Sequence, residues 1–480
     1  MPMWAACLLL CLFAWGCAVG PNFVPPRTEV PETWSAQETA GKAVESRTTT
    51  EPAALEGWWR SFRDPTLASL VETAIGTNLD LRQAQARIRQ ARAARGIAGA
   101  GFFPTVDAQA FFERSSSASA TVTSGGVPVA TGGPAFRDLF QVGLDASWEL
   151  DIFGGTRREW EAAGADLQAA VEDRRDVLVT LAGEVGTNYL TLRGLQQQLA
   201  IARQNLEAQT KTANIIRKRY EAGFASRLDV ENAQAQVNTT ASQIPILESN
   251  ARAAIYSLSV LLGQPPGFLE SVLSRPHPIP LTPPQIPVGL PSDLLRRRPD
   301  IRRAEAKLHA ATARIGVAVA DLFPRFFLTG SAGFSARDIS LLGSDKSRFW
   351  SFGPSLRWPI FAGGRIRWNI ELQNALEEQA LLAYQQTVLT ALKDVETALV
   401  AYAKEQEHRQ ALAQAVANNR RAVDLAMQLY LAGKSDFLNV LTAQRSLFLT
   451  EESLVQSTRN LAVNLVALYK ALGGGWEGGL

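Results

Sequence analysis

The stretch Tyr220-Glu221-Ala222-Gly223, followed by Leu228-Asp229-Val230 and Ala233-Gln234, returns as Tyr430-Leu431-Ala432-Gly433 with Leu438-Asn439-Val440 and Ala443-Gln444. Each pair is displaced by the same 210 positions (430 − 220 = 210). Self-similarity at one fixed offset means that two parts of the chain are copies of one structural unit, so the unit decides the fold.

Upstream of the first mark, Leu178, Val185, Leu192, Leu199, Leu206, Ala213 and Tyr220 recur every seven residues, with Leu181, Leu195 and Ala202 three positions after members of that row. This is a heptad seam, the pattern of a supercoiled helix. Adding 210 gives Val388, Val395, Tyr402, Val416, Val423 and Tyr430, interrupted by Arg409. No proline falls between 157 and 222, and at 1.5 Å per residue such a helix reaches roughly 100 Å. Gly223 and Gly433 then supply the left-handed backbone of a reversal, and second helices are predicted at 227–262 and 437–472, with a kink or local break at Pro245. Further helices are predicted at 67–98 and 300–322, before Phe103-Pro104 and Phe323-Pro324.

Between the helices lie alternating segments. Val106, Ala108, Ala110 and Phe112 alternate with polar residues, as do Phe140 to Leu150 at even positions; Phe326, Leu328, Ala332 and Phe334 form a third row, and Trp350, Phe352, Leu356, Trp358 and Ile360 a fourth. Strands are predicted at 105–114, 139–150, 325–335 and 349–360, each of about the length that crosses a bilayer as a tilted barrel strand. Trp148, Trp350 and Trp358 fit an interfacial girdle, and 115–133 and 338–346 read as exposed hairpin loops. A small soluble sandwich would show the same alternation. If the strands do lie in lipid, four cannot close a barrel, because an open edge leaves backbone groups unpaired. Three copies would supply twelve, through a ring-forming head-to-tail interface.

Composition bounds the rest. A chain of 480 residues, 46% hydrophobic and 20% charged, can bury a large core, and a net charge of +2 gives no electrostatic case for nucleic acid. The apolar run from Met3 to Val19 reads as a secretory signal, although it lacks a basic start. All three cysteines, Cys7, Cys11 and Cys17, lie in it, so the body has neither a disulfide framework nor a thiolate metal site. Ala14-Trp15-Gly16-Cys17 resembles a bacterial lipobox, which would make Cys17 the acylated first residue of the mature chain; several acyl chains hold a protein stably to a membrane. An enzyme is not indicated. His277, His309 and His408 are isolated, and neither a phosphate loop nor a nucleophile elbow appears. No cofactor and no metal are expected, and the run Arg296-Arg297-Arg298 reads as flanking a helix rather than holding an anion.

Several motifs in order resemble a known family: Cys17-Ala18-Val19-Gly20-Pro21-Asn22-Phe23, Trp58-Trp59 with Phe62 and Asp64-Pro65, Trp148-Glu149-Leu150-Asp151-Ile152-Phe153-Gly154-Gly155, and Arg297-Arg298-Pro299-Asp300-Ile301 with Ala304-Glu305, Ala313-Arg314-Ile315-Gly316 and Phe323-Pro324. They are similar to the TolC-like outer-membrane factors of tripartite efflux systems, in the lipoprotein branch of the OprM and NodT type. The resemblance implies an α+β membrane protein: a homotrimer whose 12-stranded β-barrel in the outer membrane is continuous with a periplasmic α-helical barrel. It implies a passive exit channel for small toxic molecules, delivered by an inner-membrane RND pump through a periplasmic membrane-fusion adaptor. In it the short helix before each strand pair stacks end to end with the second coil helix.

The expected organisation is a signal at 1–16, a lipid-anchored segment at 17–66, repeats at 67–262 and 299–472, a proline-rich equatorial connector at 263–298 and a Gly-rich tail at 473–480. Gly223 and Gly433 mark the tip turns. In relatives an acid at the position of Asp229 bonds a tyrosine at that of Tyr430 and helps hold the tip shut; the accompanying base is replaced by Ser435, with Lys434 adjacent, and constriction aspartates align with Asn439 and Thr442. Asp229 could equally be a helix-start carboxylate, and Tyr430 the last seam residue, as Tyr220 is in the other copy. Two other functions stay open: an outlet for secreted polypeptides of type I systems, and a coiled-coil periplasmic lipoprotein without a pore.

Overall fold

The computed structural model describes residues 18–35, 47–49, 51, 55–117, 121–124, 127–130 and 135–476. Cys17 and the leader before it lie outside the described residues, as do 477–480. In chain order the main elements are β1 (Arg47–Thr49), α1 (Pro65–Thr77), α2 (Leu79–Ala100), β2 (Thr105–Ser117), β3 (Thr121–Ser124), β4 (Val127–Ala130), β5 (Ala135–Leu150), α3 (Gly155–Glu221), α4 (Arg227–Leu261), α5 (Glu270–Leu273), β6 (Gln285–Pro287), α6 (Asp293–Arg297), α7 (Pro299–Ala320), β7 (Arg325–Ala336), β8 (Arg348–Arg357), α8 (Arg365–Leu431) and α9 (Phe437–Ala471).

The chain forms two compact units. One comprises the described residues up to Pro25 with Arg89–Gln168 and Ala306–Leu382; the other holds Pro26–Ile88, Ala169–Glu305 and the described residues from Ala383. In the first, β2, β5, β7 and β8 form one antiparallel sheet in that order, with β2 and β8 at its edges. Thr105 faces Ser147 and Arg325 faces Arg357. These pairs are related by +220 and +210, so the two hairpins are copies in backbone register as well as in sequence. Trp148 Nε1 donates to the Phe102 carbonyl (3.1 Å) and Trp358 Nε1 to the Leu322 carbonyl (3.0 Å), again at offsets of 210 and 220.

The N-terminal segment is fastened beneath this sheet. Val19 N–H donates to the Phe153 carbonyl (3.1 Å). The buried Arg158 guanidinium donates to the Val19 carbonyl (3.1 Å), Asn22 Oδ1 (2.7 Å) and Glu161 Oε2 (2.8 Å). A buried cation is tolerable only with such partners. Gly20 has a φ of +87° and a Cβ there would stand 2.5 Å from Gly316 Cα, so only glycine fits.

The second unit carries the main core, in which Trp58, Trp59, Phe62, Val185, Leu192, Val388, Val395 and Tyr402 are buried. Asp64 caps α1 by accepting from Thr66 N and Leu67 N, and also accepts from Tyr189 Oη at 2.7 Å. Burial first, and then that bond, push the Tyr189 phenol up to about 12. The last turn of α4 abuts the start of α2: Asn78 Nδ2 donates to the Leu261 carbonyl while its Oδ1 accepts from Leu81 N, both at 2.9 Å. At the position 220 residues later, Arg298 does the equivalent work, donating to the Ala471 carbonyl at the end of α9 (2.8 Å) and to Asp300 Oδ2 (2.6 Å). The arginine run is thus a helix-end device at Arg298.

Several sequence expectations need correction. The helix expected at 67–98 is two, because Asn78 serves as a cap at a break. Of the kink or local break expected at Pro245, the break does not occur, since α4 continues through that residue. The first hairpin connection, expected as a loop at 115–133, extends β2 to Ser117 and holds the ribbon β3–β4. The strand expected to reach 360 stops at Arg357. The connector contributes α5, α6 and β6, which pairs parallel with β1. Within the expected Gly-rich tail, 473–476 are held in place. Gly473 and Gly475, with φ of +75° and +103°, lead to Trp476, whose ring lies under the guanidinium groups of Arg175 (4.4 Å) and Arg302 (5.5 Å) and whose Nε1 donates to the Arg297 carbonyl.

Candidate functional site

Two surfaces matter, the outer face of the sheet and the pair of helix reversals. On the sheet, even-numbered positions form an apolar face: Val106, Phe112, Val142, Leu144, Trp350, Phe352 and Leu356 are all exposed, Trp350 to 81%. An exposed face of this size is unfavourable in water and favourable in hydrocarbon. At the loop end it stops at the cross-strand pair Arg114–Asp138 (2.7 Å). Among the described residues no helix is long and apolar enough to cross a membrane, and no cluster of acidic, His or Cys side chains is arranged for a metal.

The reversals share one turn. Phe224 N–H donates to the Arg219 carbonyl (2.7 Å) and Gly223 N–H to that of Tyr220; in the second copy Lys434 N–H donates to the Leu429 carbonyl (2.9 Å) and Gly433 N–H to that of Tyr430. These six-to-one and shorter bonds close a helix end when the glycine takes positive φ, here +79° at Gly223 and +71° at Gly433. Beneath the turns Ala213, Ile216, Ala233, Tyr430, Phe437 and Val440 form a small separate core.

The gate candidates fall unevenly around this core. Asp229 does not bond Tyr430. It closes a capping box, accepting from Ser226 N (3.0 Å) while its own N–H donates to Ser226 Oγ (3.1 Å), which is the helix-start role. Tyr430 is buried, its hydroxyl has no hydrogen-bond partner among the described residues, and its ring packs on Phe437 (5.6 Å). Tyr220, read as its equivalent, is 43% exposed. The side chain that reaches Tyr430 is Arg219, its guanidinium carbon 5.0 Å from the ring centroid and Nη1 donating weakly (3.4 Å) to the Leu431 carbonyl at the end of α8. Burial raises the Tyr430 phenol above its ordinary value; the nearby Asp229 charge acts in the same direction and Arg219 against it. Lys434 is exposed. Asn439 bonds Ser435 Oγ (2.9 Å) and Thr442 its own helix at the Leu438 carbonyl, so both are occupied locally.

Arg219 is the residue that sequence reasoning missed. Its only sequence signal is a break in the duplication, since position 429 is Leu.

A four-stranded sheet with an apolar exposed face, in a chain that also forms two 67-residue helices, defines an outer-membrane channel protein of the efflux class. The family model described as "Outer membrane efflux protein" matches residues 70–264 and 290–474, one match for each copy, and the chain belongs to that family. It is 35% identical over 474 residues to Nodulation protein T of Rhizobium leguminosarum bv. viciae, covering 98% of this chain and 93% of that one. It is 37% identical over 422 residues to the pyoverdine export outer membrane protein OpmQ of Pseudomonas aeruginosa, covering 88% and 87%. Among solved structures, the outer-membrane channel OprN superposes with a TM-score of 0.86 at 37% identity, covering 96% of this chain and all of that one. The protein is an outer-membrane efflux channel reaching into the periplasm, and its family is one of channels rather than enzymes.

Proposed function

We propose that three copies close a 12-stranded barrel and that the resulting tube is a passive conduit for small toxic molecules, supplied by an inner-membrane RND pump through a periplasmic membrane-fusion adaptor. The observation that carries this is the sheet with both edges open, β2 and β8, behind an apolar face: in lipid such edges must be paired, and copies of the chain provide the pairing. Small cargo is favoured by the relatives, named for pyoverdine, toluene and solvent efflux. The exposed apolar residues Phe224, Leu228 and Leu438 at the reversals suit an adaptor contact. Cys17 carries the lipid anchor, and the fastening of 18–23 under the sheet suits it. The closed tip is held by Arg219 on Tyr430, with Asp229 ordering the adjoining helix start.

The test is single-channel conductance in planar bilayers, with antibiotic leak in cells. Arg219→Ala is expected to raise both several-fold, whereas Asp229→Ala changes them less. A conductance for Arg219→Ala equal to that of the unmodified channel would remove the lock.

A further inference from the structure

The trimer proposed above has an interface that the chain already contains once. Within one chain the first copy (α2, β2, β5, α3) meets the second (α7, β7, β8, α8) along β5–β7 and α3–α7. In a head-to-tail ring the second copy of one chain meets the first copy of the next along β8–β2 and α8–α2. Since β5 maps to β8 and α3 to α8 by +210, and β7 to β2 and α7 to α2 by −220, every internal contact assigns an external one. The offsets are fixed by the two hairpin registers and by the two tryptophan-to-carbonyl bonds.

For the sheet, Ala146 pairs with Gly330 and Leu150 with Phe326. The transfer places Leu356 opposite Ala110, and Ile360 opposite Val106, of the neighbouring copy. Ile360 and Phe361 are 87% and 91% exposed in the single chain. This register would cover Ile360 and carry pairing past Arg357, where β8 now ends.

For the helices, one internal polar contact transfers with its chemistry intact. Glu161 Oε1 on α3 meets His309 Nε2 on α7 at 2.9 Å. Adding 210 to Glu161 gives Glu371, again a glutamate; subtracting 220 from His309 gives Arg89, again a base. Both are exposed, and among the described residues neither has a hydrogen-bond or ion-pair partner. The other ion pairs of this seam, Arg314–Asp166, Arg302–Glu172 and those of Arg303 with Asp173 and Asp176, map to Ala94 and Leu376, to Arg82 and Leu382, and to Gln83 with Ala383 and Gln386, and are not repeated. We infer that Glu371 of each copy pairs with Arg89 of the next, and that this contact together with the Leu356–Ala110 register sets how the ring closes.

The inference rests on the trimeric reading, and the experiment separates the two. In the detergent-extracted full-length protein, Glu371→Arg and Arg89→Glu each leave roughly three- to fivefold less trimer surviving heating than the unmodified chain, as a surface pair repeated in the ring should, and the double exchange restores it. Leu356→Cys with Ala110→Cys gives a covalent ladder up to three chains, while Leu356→Cys with Ala108→Cys does not; the body has no other cysteine to interfere. A trimer that links only through the shifted pair overturns the register. Single reversals without effect, or a double exchange no better than either, overturn the ion pair. Absence of any trimer in the unmodified protein overturns the closure reading itself.

Discussion

At 219–229 and 429–439 the chain makes the same turn with the same hydrogen bonds, and then equips it differently. The first reversal has Arg219 reaching across and a capping box of Ser226 with Asp229; its tyrosine, Tyr220, is exposed. The second has Leu429 at the arginine's position, and Asp436 caps α9 without any side-chain bond; its tyrosine, Tyr430, is buried. Duplication therefore preserved what shapes the backbone and released what fastens the tip. Both copies keep the tyrosine and only the first carries the arginine, so the arginine-on-tyrosine contact is made in one direction, from Arg219 to Tyr430.

The largest expected effect follows from that difference. Arg219→Ala raises conductance and leak several-fold, while Leu429→Ala, its positional equivalent, leaves both unchanged in the same bilayer measurement. The shared turn should respond equally in both copies: Gly223→Ala and Gly433→Ala each force an L-residue into positive φ and cost about 1 kcal/mol, lowering the thermal midpoint of the detergent-solubilised protein by similar amounts. Capping should not respond equally. Ser226→Ala loses the bond that Ser226 Oγ accepts from Asp229 N and about 1 kcal/mol, whereas Asp436→Ala, which removes no side-chain bond, shifts the midpoint little. A large drop for Asp436→Ala would show that the second helix start depends on a neighbouring chain.

The smallest effect is with pH. The folded-state phenol of Tyr430 titrates above its ordinary value, near 10 in the unfolded chain. Below about 10 both states hold the proton and the contribution is complete; as pH rises further the unfolded chain releases it first, and stability declines. Tyr430→Phe abolishes that alkaline decline, seen as a flatter dependence of the midpoint between neutral pH and about 11.

Much of this architecture is written in periodicity. The seam through Leu178, Val185 and Leu192 and the alternation at 140–150 are repeated local signals, and the elements follow them closely. What escaped is decided by one residue or by distant partners. Asn78 splits a helix because its amide meets the end of α4, a contact 183 residues away in sequence. Pro245 does not split one, because a helix locked on both sides by regular turns accommodates a single missing N–H. At the tip, the glycine pattern was legible and the fastening was not: Asp229 was drawn to its own helix start, and Arg219 becomes meaningful only once the two reversals lie side by side.

Trp476 has a practical consequence for anyone handling this protein. Its ring fills the space under Arg175 and Arg302, and Gly474 passes so close to Leu55 that a Cβ would stand 2.7 Å from that side chain. A purification tag or fluorescent reporter should therefore begin after position 476; one spliced in at 473 would strip two arginines of their aromatic lid and leave the end of α9 unsealed.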